Sequence, residues 1–143
     1  MAKNYLTNGE LNNNAAGWGV DVSYPSVNTA ACTTNGAHSG TCLRAEIRNT
    51  DPGTISLYQA VKLTPGRKYK LSFYAKRTGN IDVWAAYQAG NNAKVNGNSM
   101  KSSLTSGGNY KRMSYTFTVP SSSASSVNVV VYLIAGSASG DSL

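Results

Sequence analysis

Apolar and polar residues alternate along this chain in short runs that turn residues interrupt. Between Lys68 and Lys76 every second residue is apolar, and the residues between them are lysine, serine or tyrosine. Alternation with a period of two is typical of a β-strand that buries one face. No stretch keeps apolar residues at the i, i+3, i+4 and i+7 spacing of an amphipathic helix over three turns. The pattern therefore predicts an all-β fold, a two-sheet antiparallel β-sandwich of the jelly-roll type.

Seven segments carry this alternation clearly enough to be predicted as strands. They are residues 17–27, 41–49, 55–63, 68–76, 81–88, 110–119 and 126–134. Turn sequences separate several of them, such as Asp51-Pro52-Gly53 and Thr64-Pro65-Gly66. Residues 91–108 are polar and loop-like, with one short strand predicted near 99–104. At 143 residues without a visible linker, residues 1–143 are predicted to form a single domain.

Composition points to a partner that is met through hydrogen bonds and aromatic rings. Charged residues make up only 13% of the chain, whereas asparagine, serine, threonine and nine tyrosines are prominent. The net charge of +7 also suits an anionic partner. However, the densest basic cluster alternates with apolar residues, so we interpret it as the solvated face of a strand and keep an anion site as the alternative. This cluster comprises Arg67, Lys68, Lys70, Lys76 and Arg77.

The two cysteines, Cys32 and Cys42, flank a turn-rich segment. Two strands joined at that turn could bring the thiols within bridging distance, so a disulfide and a pair of buried thiols are both open. Their spacing is not that of a zinc site, and a single histidine is too few to complete one. No apolar run approaches the ~20 residues that a membrane helix needs.

Catalytic chemistry finds little support in the sequence. Glycoside hydrolysis needs two carboxylates at a set separation, and the predicted strands hold only Asp21, Glu46 and Asp82, which no motif links. His38, the one histidine, lies in a glycine-flanked turn, and no Ser–His–Asp or Cys–His motif is present. We therefore predict a protein with no catalytic residues, while a polysaccharide lyase that uses tyrosine and arginine stays as a minor alternative.

Five stretches, in order and spread over nearly the whole chain, carry a resemblance to a known group of proteins. They are residues 8–12 (Asn-Gly-Glu-Leu-Asn), Gly17-Trp18, residues 36–40 (Gly-Ala-His-Ser-Gly) before Leu43-Arg44, residues 61–76, and residues 115–120 (Tyr-Thr-Phe-Thr-Val-Pro). Together they resemble the carbohydrate-binding modules of families 4, 9, 16 and 22, with family 16 the nearest. These modules are galactose-binding-like jelly-roll sandwiches that accompany polysaccharide hydrolases. The resemblance implies the same fold and a non-catalytic, glycan-binding role.

The resemblance also implies a structural calcium ion that joins the opening motif to the turn before the Leu43 strand. The candidate ligands are Glu10, Asn12, Ser39 and Cys42. Asn12 stands where the family usually has a glutamate. The Asp pair of the family's closing strand has no full counterpart in Gly140-Asp141-Ser142-Leu143. Both departures weaken the ligand set, but the resemblance still implies calcium as a structural cofactor, remote from the sugar.

Candidate ligand-binding residues are those on the less apolar faces of strands that would line the cleft. Trp84 shares a face with Asp82 and Gln88, and we interpret it as a sugar platform, with edge packing under residues 91–108 as the alternative. The resemblance places a ligand-contacting side chain near Tyr132, which shares its face with Asn128. Tyr74 lies on the face of its strand opposite Leu71, and cleft or outer surface is open for it. Trp18 is predicted to lie in the core.

The leading hypothesis is a module that targets a secreted glycoside hydrolase to β-1,4-linked glucan or mannan. It would bind the polysaccharide or its oligosaccharides as a monomer, covalently linked to a catalytic domain and located outside the cell or at its surface. Nucleic acid and membranes are not expected partners. Xylan, an acidic cell-wall glycan or a purely structural surface role are the alternatives.

Overall fold

The computed structural model describes residues 5–7, 16–23, 29–33, 42–46 and 53–137. Within these ranges the chain forms antiparallel strands and one short 3₁₀ turn at Lys101–Ser103. The strands are β1 Gly19–Val22, β2 Thr29–Thr33, β3 Cys42–Glu46, β4 Thr54–Leu63, β5 Lys68–Ala75, β6 Ile81–Ala89, β7 Val95–Asn96, β8 Lys111–Thr118 and β9 Val127–Ser137.

One layer of the fold is a five-stranded sheet with the order β1-β4-β9-β6-β7. The pair β5-β8 packs against it, and β2-β3 forms a further antiparallel pair. Neighbours in the five-stranded sheet are mostly distant in sequence, since β9 lies between β4 and β6. The predicted all-β, two-sheet antiparallel sandwich is confirmed.

The core lies between the five-stranded sheet and the β5-β8 pair, because the apolar phases of both layers face each other. Tyr87 of β6 stacks on Phe117 of β8, with ring centroids 4.6 Å apart. Burial in this cluster raises the pKa of Tyr115, and the electrostatic effect of the neighbouring Tyr87 raises this pKa further. The buried members are Leu63, Leu71, Ala85, Ala89, Met100, Phe117, Val119, Val129 and Val131. A fully buried Leu, Val, Met or Phe side chain contributes roughly 1.5–3 kcal/mol to folding.

A buried amide ties the amino-terminal segment to this core. Gln59 lies on the inner phase of β4, and its Oε1 accepts a hydrogen bond from the Thr7 N–H at 2.8 Å while its Nε2 donates to the Thr7 carbonyl at 2.9 Å. Both ends of the amide are thereby satisfied, as a buried polar group requires.

The seven predicted strand segments all contain strands, but two local predictions are wrong. The short strand expected near 99–104 is the 3₁₀ turn, and the strand of this region is β7 instead. Here the Gly97 and Met100 N–H groups donate to the Ala85 and Val83 carbonyls, so the segment follows the edge of β6 with irregular spacing. The strand β2 is not among the seven predicted segments, although the possible disulfide already implied a strand that ends near Cys32.

Trp18 does not lie in the buried core as predicted. It precedes β1 and is only half-buried, and Val20 of the same predicted inner face is 37% exposed. The reason is its position, since β1 comes at one end of the five-stranded sheet and pairs there with β4 alone among the described strands.

Candidate functional site

The face of the five-stranded sheet that points away from the core carries three half-buried aromatic rings. Side chains alternate between the two faces of a strand, so the residues between the core positions point outward. Trp84 comes from β6, Tyr132 from β9 and Tyr58 from β4. We call this surface the aromatic face. The residues on this side of the sheet include Gly19, Asp21, Ser56, Tyr58, Ala60, Lys62, Asp82, Trp84, Ala86, Gln88, Asn96, Asn128, Val130, Tyr132 and Ile134. Of these, Ser56, Asp82, Ala86 and Ile134 are buried beneath their neighbours.

One row of this face runs straight across all five strands. In direct register it contains Asn96, Ala86, Tyr132, Tyr58 and Gly19. Four inter-strand spacings of ~4.8 Å give the row a length of about 19 Å. The Tyr58 and Tyr132 rings are neighbours within it, with centroids 5.8 Å apart and planes tilted by 38°. The row therefore holds two aromatic rings side by side, in a line perpendicular to the strands, and we call it the aromatic row.

Trp84 lies beside this row and is held from two sides. Its indole Nε1 donates a hydrogen bond to Oδ1 of Asn96 at 3.1 Å. A Cβ added to Gly136 would lie 2.7 Å from Cη2 of Trp84, so the six-membered part of the indole occupies the space where a side chain at 136 would stand. The indole N–H of Trp84 thus contacts residues 91–108, as the edge-packing alternative expects, while its ring stays half-exposed on the aromatic face; its role as a sugar platform stays a prediction.

Tyr58 is a residue that sequence analysis did not single out. Its ring fills the space above Gly19, where an added Cβ would lie 2.6 Å from the phenol oxygen. The available signal was the same as for Trp84, because Tyr58 falls on the less apolar phase of β4 with Ser56 and Lys62. An aromatic residue on the polar phase of an alternating strand could have marked it.

Polar groups fix the aromatic row from one side. The Tyr132 hydroxyl donates to Oε1 of Gln88 at 3.1 Å, and Nε2 of Gln88 donates to the Asn92 carbonyl at 2.9 Å. The Lys94 ammonium lies 4.9 Å from the centroid of the Tyr132 ring, within the range of a cation–π interaction. Asn128, which is exposed, lies opposite Lys62 at one end of the face.

The structure places four of the six predicted ligand-binding residues on the exposed part of the aromatic face: Trp84, Tyr132, Gln88 and Asn128. Asp82 shares their strand phase but is 1% exposed, and its Oδ1 accepts hydrogen bonds from the Val83 N–H and the Ser99 hydroxyl. Its carboxylate therefore contacts the protein. Tyr74 lies on the other layer, where it points outward from β5 and is 50% exposed.

The predicted metal ligands cannot be compared with this geometry. Glu10, Asn12 and Ser39 lie outside the described residues, as does the side chain of Cys42, although its backbone begins β3. Within the described part of the chain no group of three His, Cys, Asp or Glu residues could hold a metal ion. The calcium site stays a prediction. The strands β2 and β3 do pair across the predicted turn, with Cys32 opposite Leu43 and Thr33 opposite Cys42, but the disulfide also stays a prediction.

No helix in the described ranges has the length and apolar character to cross a bilayer. The aromatic face thus combines aromatic rings, amide side chains and the lysines Lys62 and Lys94, and the acid Asp21 on β1 lies at its margin.

Comparison with known proteins places these features in a wider group. The sequence model of a family described as a carbohydrate binding domain, CBM_4_9, matches residues 3–140. No curated protein matches the sequence. A structure of the enzymatically active domain of tailspike protein 4 from bacteriophage CBA120 is 16% identical, with a TM-score of 0.65 over 94% of this chain. The chain spans only 20% of that tailspike chain.

Two solved modules of similar size share the fold. One is TmCBM61 in complex with β-1,4-galactotriose, which is 13% identical with a TM-score of 0.57. The other is a family 16 carbohydrate binding module, which is 20% identical with a TM-score of 0.53. The aligned regions cover 94% and 93% of this chain and 93% and 95% of theirs.

Proposed function

Because the chain belongs to the carbohydrate-binding domain family, we propose that its aromatic face binds a neutral β-1,4-linked polysaccharide, glucan or mannan, without chemically altering it. The observation that carries this proposal is the set of three half-exposed rings, Trp84, Tyr132 and Tyr58, on one face of one sheet. Pyranose rings expose flat C–H faces, which pack against aromatic rings in water.

The direction of the aromatic row supports an extended ligand. Tyr132 and Tyr58 lie next to each other in this row. Trp84 lies on β6 two residues before Ala86, which is the β6 member of the row. A sugar chain that crosses the sheet along this row would meet successive rings. The row is about 19 Å long, which leaves room for several sugar units. The similar TmCBM61 is in complex with a β-1,4-linked galactotriose, which supports a β-1,4 linkage as the first to test.

Amide groups beside the rings supply hydrogen bonds to sugar hydroxyls. Gln88 is already held by Tyr132 and by the Asn92 carbonyl, so its amide loses little freedom when a ligand arrives. Asn96 and Asn128 lie at two other points of the face, and each amide offers donors and an acceptor. The site therefore combines a preformed apolar platform with a few polar groups, as small-molecule sites commonly do.

We propose that this module anchors a covalently linked glycoside hydrolase, outside the cell or at its surface, to its substrate. A monomer suffices for this role, because the described rings of the aromatic face all come from one chain. Xylan and acidic wall glycans are the alternative ligands, and a structural role predicts no glycan binding.

Affinity electrophoresis in gels that contain hydroxyethylcellulose, glucomannan, galactan or xylan tests the proposal. We expect the protein to be retarded by the glucan or the mannan gel, and equally at low and high salt because stacking involves no net charge. Unretarded migration in all four gels would reject glycan binding of the proposed class.

A further inference from the structure

The outer surface of the β5-β8 pair is chemically unlike the aromatic face. Eight side chains point outward from these two strands, and all eight are exposed. We call this surface the basic face. It comprises Lys68, Lys70, Ser72 and Tyr74 from β5 and Arg112, Ser114, Thr116 and Thr118 from β8.

In the part of the chain that the structure describes, no acidic residue lies on the basic face. Residues 52–81 and 83–140 contain no aspartate or glutamate, and Asp82 between them is buried on the other sheet. Seven of the thirteen basic residues lie on or beside β5 and β8: Arg67, Lys68, Lys70, Lys76, Arg77, Lys111 and Arg112. More than half of the basic residues therefore lie on or next to this one antiparallel pair of strands.

The strand register keeps each cation opposite a neutral partner. Lys68 faces Thr118, Lys70 faces Thr116, and Arg112 faces Tyr74. Lys68 and Lys70 lie on the same face two residues apart, at about 7 Å, where like charges repel. Cross-strand pairs of opposite charge would stabilise such a sheet. Their absence from β5 and β8 leaves the lysines available to an anion from outside.

We propose that the basic face is a second binding surface, which takes a polysaccharide of uronic acid units. Such a polymer carries carboxylates for Lys68, Lys70 and Arg112 and hydroxyls for the serine and threonine side chains. It also has pyranose faces that can pack on the exposed ring of Tyr74. This surface is independent of the proposed function, because it lies on the opposite layer from Trp84.

The uncharged side chains of the basic face favour a sugar polymer over a nucleic acid. Single-stranded nucleic acids are bound by grooves in which several aromatic rings stack on successive bases, whereas this face is a pair of strands with one exposed ring. The hydroxyl side chains between the cations instead match a ligand rich in hydroxyl groups.

Binding to polygalacturonate at 50 mM NaCl, measured by calorimetric titration, tests the proposal. The variant Lys68→Gln/Lys70→Gln/Arg112→Gln should bind about tenfold or more weakly, because exposed charge pairs contribute modestly but add together. A matched variant with the same change in net charge, Lys62→Gln/Lys94→Gln/Lys101→Gln, should bind polygalacturonate nearly as well as the parent protein. Thermal melts establish that both variants are folded.

Three results would overturn the proposal. The first is a parent protein that does not bind polygalacturonate at 50 mM NaCl, and the second is an equal loss in the two triple variants, which would indicate net charge alone. The third is tighter binding of a single-stranded oligonucleotide than of polygalacturonate. Trp84→Ala should leave polygalacturonate binding intact, so a failure of the glucan proposal and a failure of this one give different results.

Discussion

Individual residues on the aromatic face are held in place by the protein before any ligand is present. The indole of Trp84 bonds to Asn96 and covers Gly136, and the phenol of Tyr58 covers Gly19. In both cases a large ring on one strand is matched by a glycine on the next. Pre-positioned rings lose little conformational freedom on binding, which favours affinity.

Tyr132 offers a way to separate stacking from hydrogen bonding. Its ring neighbours Tyr58, and its hydroxyl donates to Gln88. Removing the ring in Tyr132→Ala should weaken binding of β-1,4-glucan or mannan oligosaccharides about tenfold, since an aromatic contact contributes on the order of 1 kcal/mol. Tyr132→Phe keeps the ring and should retain most of the affinity in calorimetric titrations. A larger loss in Tyr132→Phe than in Tyr132→Ala would contradict stacking as the role of this residue.

Gly136 is predicted to control where the Trp84 ring lies. An alanine Cβ there would lie 2.7 Å from Cη2 of Trp84, too close for both to keep their places. In a Trp18→Phe background, where Trp84 is the only tryptophan, Gly136→Ala should shift the fluorescence emission to longer wavelength and weaken oligosaccharide binding. Ser114→Ala, on the opposite layer, is the control.

Gly136→Ala should have the opposite effect if the indole of Trp84 does not occupy the space at residue 136. Glycine weakens a strand, so with open space at this position the change to alanine would stabilise the fold. Unchanged emission together with a higher melting temperature would mean that the indole does not cover residue 136.

Stability should distinguish the core from the half-buried Trp18. Phe117 is buried and stacks on Tyr87, so Phe117→Ala should cost roughly 3–5 kcal/mol. Trp18→Ala should cost clearly less, because the side chain keeps part of its surface in water. Urea denaturation measures both, and equal losses would place Trp18 in the core after all.

At the scale of elements, strands with strict alternation could be predicted from sequence and strands without it could not. The segments that became β5 and β8 show the period of two clearly, since each buries one face, whereas β6 and β9 are rich in apolar residues and bury residues on both faces. In contrast, β2 reads Thr-Ala-Ala-Cys-Thr, which has no alternation. The strand β7 is two residues long and exists because Val95 and Asn96 pair with Tyr87 and Ala86. Such pairing is not encoded in a local pattern.

The candidate site was predictable only within each strand. Strand phase correctly grouped Trp84 with Gln88 and Tyr132 with Asn128. The register between strands depends on long-range pairing, so sequence could not show that Tyr58 lies beside Tyr132. For the same reason it left Tyr74 open, because only the pairing of β5 with β8 places it on the other layer. Asp82 is buried through contact with Ser99, seventeen residues away.

We propose that a calcium ion joins the opening motif to the turn before β3. We expect chelation by EDTA to lower the melting temperature, because the predicted ligands Glu10, Asn12, Ser39 and Cys42 come from separate parts of the chain and a hard cation would join them. Glycan binding by the still-folded protein should persist, since the aromatic face lies on other strands. Calcium should restore the melting temperature. An unchanged melting temperature in EDTA would count against a bound ion.

At the scale of the whole molecule, the two outer surfaces of the sandwich differ in chemistry. The aromatic face presents rings and amides, whereas the basic face presents lysines, an arginine and hydroxyls without acids. Salt weakens the interactions of exposed charges and leaves stacking almost unaffected. The two surfaces should therefore be separable in one protein by raising the ionic strength.

The most direct test of glycan binding at the aromatic face is calorimetric titration of Trp84→Ala with cellohexaose and mannohexaose. Trp84 should contribute at least as much as Tyr132, so we predict about tenfold weaker binding of the preferred oligosaccharide, with an unchanged fold. Tyr74→Ala, which removes an exposed ring from the other layer, should bind as the parent protein does. Unchanged affinity in Trp84→Ala, or the loss appearing in Tyr74→Ala instead, would contradict the assignment of the ligand to this face.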